Sequence, residues 1–226
     1  MVRDILGRLL FLSTVGRKIF VAITGLFLVG FLLIHLAGNI TLFFGPDAFN
    51  GYAYQLEKNK AILYTLEIIL LIGFSSHIIQ AIYVTLENKK SRPVSYKKRR
   101  TLGMSTIFSN NMALGGSLIL IFLVLHVNAF RFGETEMVYH PSADELVRDI
   151  YTLVTTSFKD PIYSGFYILA MFFVGGHVSH GFQSAFRSLG LSDKRVYPFF
   201  KKLSYVIGFF VALGFATMPI YFGFFH

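Results

Sequence analysis

The sequence predicts an all-α integral membrane protein, a bundle of five transmembrane helices. Of its 226 residues, 54% are apolar and only 15% are charged, which is too few polar groups to cover the surface of a water-soluble protein. Five apolar stretches are each long enough to cross a hydrocarbon layer of ~30 Å at ~1.5 Å per residue. We expect spans at residues 19–42, 61–86, 107–130, 162–186 and 203–225, all within a single domain, 1–226.

The positive charges are distributed unequally between the two sides of these spans. Sixteen of the 21 Lys and Arg residues lie before span one, between spans two and three, or between spans four and five. The other side holds five: Lys58, Lys60, Arg131, Arg148 and Lys159. The positive-inside rule therefore predicts a cytoplasmic N-terminus, an external C-terminus and a multi-pass protein of the cytoplasmic (inner) membrane. It also explains the net charge of +9 without nucleic acid as a partner, since the basic surface would face the lipid bilayer.

The first four spans each contain a histidine, and an ionisable side chain at membrane depth indicates a functional site. Span one runs outward and places His35 about 26 Å along its axis, and span three places His126 at about 28 Å. Spans two and four run inward and leave His77 and His177 about 13 Å from the inner edge. We therefore expect an outer pair, His35 with His126, and an inner pair, His77 with His177. The fifth span has no ionisable residue and is expected to contribute packing.

Two imidazoles at one depth form the axial ligand set of a six-coordinate haem, so the sequence predicts two b-type haems (iron protoporphyrin IX). The chain has no cysteine, which excludes a C-x-x-C-H attachment site and thiolate ligands for an iron–sulfur cluster. His180 lies one turn after His177 and is the alternative fourth ligand. A different class of protein, a haem-free transporter with a histidine relay, would usually show internal repeats, broken helices and several buried acids.

Small residues share the helix faces of these histidines. Thr24 and Asn39 fall on the face of His35. The glycines nearest the other histidines would allow a porphyrin to approach the backbone, although glycines in membrane helices also serve helix packing: Gly73, Gly115 and Gly181.

Two segments outside the spans have helical apolar spacing. Residues 1–13 and 144–154 are predicted to be short interfacial helices on the cytoplasmic and outer surfaces, respectively. His140 and His226 also lie outside the spans, and we expect both to be exposed to water.

Three segments carry a resemblance to a known family. They are residues 16–39 (GRK, TGL and HLAGN in turn), residues 125–133 (LH followed by FRFG) and residues 177–186 (HVSHGFQSAF). Together they resemble the di-haem cytochrome b membrane-anchor subunit of the succinate dehydrogenase and fumarate reductase family. The resemblance covers essentially the whole chain and implies five helices with ligands on the first four. In that family the first histidine of the last segment is the ligand, which favours His177 over His180.

The resemblance also implies the partners of the chain. Such a subunit anchors a flavoprotein subunit and an iron–sulfur subunit on the cytoplasmic side, where succinate and fumarate interconvert. The inner haem would exchange electrons with the iron–sulfur subunit and the outer haem with a membrane quinone, usually menaquinone. The complex would be a succinate:quinone oxidoreductase or a quinol:fumarate reductase, present singly or as a dimer of complexes. The alternative within electron transfer is the cytochrome b of a hydrogenase or a formate dehydrogenase.

Quinone chemistry also requires protons, and Glu67 is the acidic residue that lies well inside a predicted span, about 9 Å from the outer end of span two. A carboxyl group there could hand protons to a quinone, so we expect Glu67 to be a catalytic residue. Alternatively, Glu67 reaches the interface or pairs with a polar group in the bundle, and Glu57 is the other candidate. Some fumarate reductases of the family carry a transmembrane proton-path glutamate two residues before the fourth ligand, where this chain has Gly175.

Overall fold

The computed structural model describes residues 13–91 and 111–226, and five of its helices are long and apolar enough to cross a membrane. These helices are α1 (Thr14–Ile40), α3 (Lys60–Lys90), α4 (Met112–His126), α6 (Pro161–Ser188) and α7 (Tyr197–Phe224). The all-α membrane bundle that the sequence predicts is confirmed at this level. The predicted helix over residues 1–13 and the predicted start of span three, residues 107–110, fall outside the described residues, apart from Ser13.

The remaining elements lie between these long helices. A short 3-10 turn, Thr41–Phe44, continues α1, and a π-helical turn, Val127–Arg131, continues α4 directly after His126. The shorter helices are α2 (Pro46–Glu57) and α5 (Ile150–Phe158), and two strands, β1 (Met137–His140) and β2 (Glu145–Arg148), form a hairpin.

Capping side chains place most of the helix starts before the apolar spans begin. The Ser13 hydroxyl accepts a hydrogen bond from the Gly16 amide at 3.0 Å, which starts α1 at Thr14. The Asn59 side chain accepts one from Ile62 at the start of α3, and Asp160 precedes Pro161 at the start of α6. Helix α7 starts at Tyr197, six residues before the predicted span at residue 203. The apolar pattern therefore locates the lipid-crossing part of each helix, whereas the capping side chains determine where α1, α3 and α6 begin.

Four of the long helices form a ring. Helix α1 packs against α3 and α6, α6 packs against α4, and α3 meets α4 over a short stretch. The order around the ring is therefore α3, α1, α6, α4, so α1 lies opposite α4 and α3 lies opposite α6. Helix α7 lies outside the ring and packs against α6 and α1.

The closest helix contact is between α6 and α7, and small residues make it possible. A Cβ added to Gly175 would lie 2.5 Å from the Cβ of Ala212 and 2.7 Å from the carbonyl oxygen of Gly208. The Ser179 hydroxyl donates to the carbonyl of Ser204 at 3.2 Å across the same interface. Many large apolar side chains on the outer faces of the bundle are exposed, among them Ile72, Leu114, Phe209 and Phe210, as expected for surfaces that face lipid.

Residues 45–59 and 132–160 form a cap over one end of the bundle, which we call the cap end. Helix α2 begins after Gly45, whose φ of +93° suits glycine, and Pro46 occupies its first turn. Antiparallel β1 and β2 pair from Met137 with Arg148 to His140 with Glu145. Neither α2 nor this hairpin was predicted from the sequence.

The predicted interfacial helix over residues 144–154 is wrong in its first half. Asp144 has a φ of +54°, residues 145–148 pair as strand β2, and the helix begins only at Ile150. Its start is fixed by the side chain of Asp149, which accepts a hydrogen bond from the amide of Thr152.

Buried polar contacts hold the cap together. Asn50, which is 3% exposed, donates to Asp149 at 2.9 Å and accepts from the amide of Tyr151 at 2.8 Å. Partial burial raises the pKa of Asp149, but hydrogen bonds from Thr152 and Asn50 lower it by more, so the pKa is lower than usual.

The expectation that His140 is exposed is wrong: the residue is 6% exposed, and its Nε2 lies 2.9 Å from the carbonyl oxygen of Asp47. His226 is exposed, as expected.

Candidate functional site

The four predicted histidines meet in two pairs, each across a diagonal of the helix ring. His35 on α1 and His126 on α4 have ring centroids 6.0 Å apart with an interplanar angle of 86°. His77 on α3 and His177 on α6 have centroids 6.4 Å apart at 73°. We call these the cap-side pair and the far-side pair. Because the backbones of opposite helices do not pack directly, the imidazoles span the space inside the ring.

The separations agree with those of two imidazoles that share a metal ion. Imidazole nitrogens on opposite sides of a metal lie ~2.0–2.1 Å from it, which places the two ring centroids about 6.4 Å apart. Nδ1 of His177 is buried and has no hydrogen-bond partner among the described residues, so no protein group restrains which of its two nitrogens carries the hydrogen. The two pairs therefore fit the axial ligands of haem. No group of three or more His, Cys, Asp or Glu residues that could hold a metal occurs in the described part of the chain, but a haem requires only two protein ligands.

The two pairs lie at different heights in the bundle. Thr24 on α1 lies beside His77 of the far-side pair, whereas His35, on the same face of α1, belongs to the cap-side pair. These two residues are eleven positions apart, which is about 16 Å of helix axis. One face of α1 therefore contacts both sites.

The hydroxyl of Thr24 lies beside one ring nitrogen of His77. This hydroxyl donates to the carbonyl of Phe20 at 2.8 Å and lies 3.2 Å from that of Val21. A hydroxyl has a single hydrogen, so with that hydrogen on a backbone carbonyl the oxygen of Thr24 is an acceptor for Nδ1 of His77, 3.2 Å away. In this arrangement His77 would carry its hydrogen on Nδ1 and its lone pair on Nε2. Ligating histidines in metalloproteins commonly have such a partner on the other nitrogen.

The cap-side pair has a corresponding contact on one ring. Nδ1 of His126 lies 3.3 Å from the hydroxyl of Tyr167, which in turn lies 3.1 Å from that of Tyr163. His35 has a less selective neighbour: the amide nitrogen of Asn39 is 3.4 Å from both ring nitrogens and donates to the backbone carbonyl of His35 at 2.8 Å. Phe31 stacks on His35 and Phe122 on His126, with centroids 5.3 and 5.5 Å apart, so apolar rings surround this pair.

The glycines near the histidines have different roles. A Cβ on Gly25 would lie 3.1 Å from Cε1 of His77, and one on Gly116 would lie 3.5 Å from Cε1 of His177. Gly73 instead packs against Phe27 of α1, since a Cβ there would lie 2.7 Å from that ring. At Gly115 and Gly181, a Cβ would meet no atom within 4 Å.

His180 and Gly175 flank His177 on α6. The ring opposite His77 is that of His177, and His180 lies one turn further along the helix. Gly175 lies against α7, and the close approach of Gly208 and Ala212 leaves no room for a glutamate side chain at this position.

Glu67 pairs with an arginine that the sequence analysis did not connect to it. Its Oε1 accepts a hydrogen bond from Nε of Arg131 at 2.5 Å, and both side chains are about one-third exposed, 37% and 34%. Arg131 ends the π-helical turn that follows His126, so the ion pair joins α3 to the end of α4. Of the alternatives for Glu67, the structure shows pairing with a polar group. Glu57 forms a second ion pair, with Arg148 of the cap, at 3.2 Å.

The sequence did not predict the contact of His126 with Tyr167, that of Tyr167 with Tyr163, or the ion pair of Glu67 with Arg131. A sequence does not show which helices lie opposite one another. One signal was present: Tyr163 and Tyr167 lie one turn apart near the start of span four, at the predicted depth of His126.

Comparison of the chain with protein-family models, with curated proteins and with solved structures finds no match.

Proposed function

We propose that this chain is a di-haem cytochrome b, the membrane-anchor and electron-transfer subunit of a succinate:quinone oxidoreductase or quinol:fumarate reductase. The observation that carries the proposal is the pairing of four histidines across two diagonals of one helix ring, at centroid distances of 6.0 and 6.4 Å. A single histidine in a membrane helix is commonly a polar packing residue. Two opposed pairs at two heights instead match the requirement of two bis-histidine haems.

The residues of each pair would act as axial ligands. His35 and His126 would hold one haem b near the cap, and His77 and His177 would hold the other about 16 Å further along α1. Bound there, haem supplies one-electron oxidation and reduction. Thr24 would hold His77 in the tautomer with its hydrogen on Nδ1, and the surrounding apolar rings would keep water from the imidazoles of the cap-side pair.

The three segments that resemble the succinate dehydrogenase and fumarate reductase family all lie around these pairs. Residues 16–39 belong to α1, residues 125–133 contain His126 and the π-helical turn, and residues 177–186 start at His177. The choice of this family over other electron carriers rests on the resemblance of these segments.

The two ends of the bundle would serve different partners. Most of the Lys and Arg residues in the described part of the chain lie at the end opposite the cap, including Lys89, Lys90, Lys194 and Arg195. This end would face the cytoplasm, where a flavoprotein and an iron–sulfur subunit would dock. A membrane quinone, such as menaquinone, would react near the cap, where Glu67 and Arg131 are partly exposed.

Purification of the native complex from membranes in mild detergent tests this assignment. We expect the chain to co-purify with a flavoprotein that carries covalent flavin and with an iron–sulfur protein, and we expect succinate to change the haem absorption of the preparation. A nickel or molybdenum subunit in their place would overturn the family assignment in favour of a hydrogenase or formate dehydrogenase. A preparation without haem would overturn the cytochrome assignment in favour of a histidine-relay transporter.

A further inference from the structure

Two tyrosine hydroxyls extend the polar contacts of His126 towards the cap. Tyr163 and Tyr167 lie on successive turns at the start of α6, and their hydroxyl oxygens are 3.1 Å apart. Tyr167 is 5% exposed, and its hydroxyl lies 3.3 Å from Nδ1 of His126. Tyr163 is half-buried and lies one turn nearer the cap. The three groups therefore form a continuous row from α4 to the end of the bundle.

A buried tyrosine hydroxyl has one hydrogen to donate and an oxygen that can accept, so the direction of each hydrogen bond depends on its neighbours. If Tyr167 donated to Nδ1 of His126, the imidazole would carry its hydrogen on Nε2 and could not bind a metal through that atom. If Tyr167 accepts from Nδ1, its own hydrogen is free for Tyr163, and Nε2 keeps its lone pair. The position of Tyr163 within hydrogen-bond distance makes the second direction available.

We propose that Tyr167 is a positioning residue for His126: its hydroxyl oxygen, 3.3 Å from Nδ1 of His126, accepts the Nδ1 hydrogen, which leaves Nε2 for the iron of the cap-side haem. The inference rests on the proposed function, since it assigns a role towards a haem that the two histidines would hold. The contact between Tyr167 and His126 corresponds to the contact between Thr24 and His77 in the far-side pair.

The arrangement makes the two sites unequal. In each pair, one imidazole faces a hydroxyl through Nδ1: that of Thr24 for His77 and that of Tyr167 for His126. Thr24 donates to backbone carbonyls of its own helix, whereas the hydroxyl of Tyr167 contacts that of another side chain, Tyr163. A hydrogen bond from the Nδ1 hydrogen makes the imidazole a more basic ligand, which favours ferric iron. Loss of Tyr167 should therefore raise the reduction potential of the cap-side haem alone.

Redox titration of the purified complex, followed by visible and EPR spectroscopy, tests the proposal. Tyr167→Phe keeps the buried ring but removes the hydroxyl, so we expect both haems to be retained and one midpoint potential to move to a more positive value, with a changed ferric EPR signal for the same haem. Tyr163→Phe keeps the acceptor on Tyr167 and should cause a smaller shift in the same direction. Tyr221→Phe, on α7 beside Phe43 and Phe222, is the matched control and should shift neither potential.

The outcomes separate this proposal from the proposed function. Two haems in the unsubstituted protein, with both potentials unchanged in Tyr167→Phe, would overturn the role of Tyr167 and leave the cytochrome assignment intact. An equal shift of both potentials would also overturn it, because it would indicate a general disturbance of the bundle. If the unsubstituted protein contains no haem, the cytochrome assignment and the role of Tyr167 both fail.

Discussion

The imidazole rings of His77 and His177 lie 6.4 Å apart, although they belong to α3 and α6, which are on opposite sides of the helix ring. The side chains meet because each points from its helix into the space between the four helices. His35 and His126 meet in the same way across the other diagonal. One helix ring thus holds two opposed histidine pairs at two heights.

Replacement of His177 tests which residue of α6 is the fourth ligand. We expect His177→Ala to retain one haem per chain, because His77 would lose the imidazole opposite it. His180→Ala, one turn away on the same helix, is the matched control and should retain two. The haem content per chain of the purified variants decides between them, and the reverse result would make His180 the ligand.

Replacement of Thr24 tests the tautomer argument at the far-side pair. Thr24→Val keeps the shape of the side chain but removes the acceptor for Nδ1 of His77, and loss of such a partner typically weakens metal binding by about 10–100-fold. We expect the far-side haem alone to be lost more readily to a haem-scavenging protein. Thr24→Ser should behave like the unsubstituted protein. Thr65→Val, which removes a hydroxyl that donates to Ala61 on α3, should have no effect on either haem. Equal loss from Thr65→Val would contradict this account.

Glu67 is expected to act in proton transfer to or from the quinone, and its amide variant separates this role from ion pairing. Glu67→Gln should lower quinone-dependent turnover by about 10²–10⁴-fold, the usual contribution of a general acid or base, without loss of haem. Glu57→Gln is the matched control, since Glu57 also pairs with an arginine near the cap. Turnover that falls equally and only slightly in the two variants would show that Glu67 is a structural ion-pair residue.

Gly175 tests the packing of α6 on α7. An added methyl group would lie 2.5 Å from Ala212, so Gly175→Ala should lower the free energy of unfolding by about 1–3 kcal/mol, the usual cost of overpacking. Gly165→Ala on the same helix meets no atom within 4 Å and should leave stability unchanged or slightly higher, because alanine favours a helix. Thermal unfolding of both variants in detergent measures the difference. Equal stability of the two would contradict the packing that the structure shows.

The sequence predicted the parts of the fold that depend on apolar periodicity and on depth in the membrane. Five spans follow from the length of the apolar stretches, and the pairs His35 with His126 and His77 with His177 are the ones that the structure brings together. Depth was sufficient to match the histidines because helices in a bilayer run nearly parallel, so a position along the axis is also a height.

The cap could not be predicted in the same way, because it depends on side-chain contacts between distant residues. Asn50 binds Asp149, 99 positions away, and these contacts determine that residues 145–148 form a strand and that α5 starts at Ile150. His140 is buried for the same reason, since it contacts Asp47 of α2. The apolar residues in 144–154 have the spacing of a helix, but pairing with β1 makes residues 145–148 a strand instead.

The account depends above all on two iron porphyrins held by opposed histidines. A pyridine haemochrome assay of the purified chain, together with its reduced-minus-oxidised visible spectrum, measures this directly. We predict two b-type haems per chain, and a value of one or none would contradict the account.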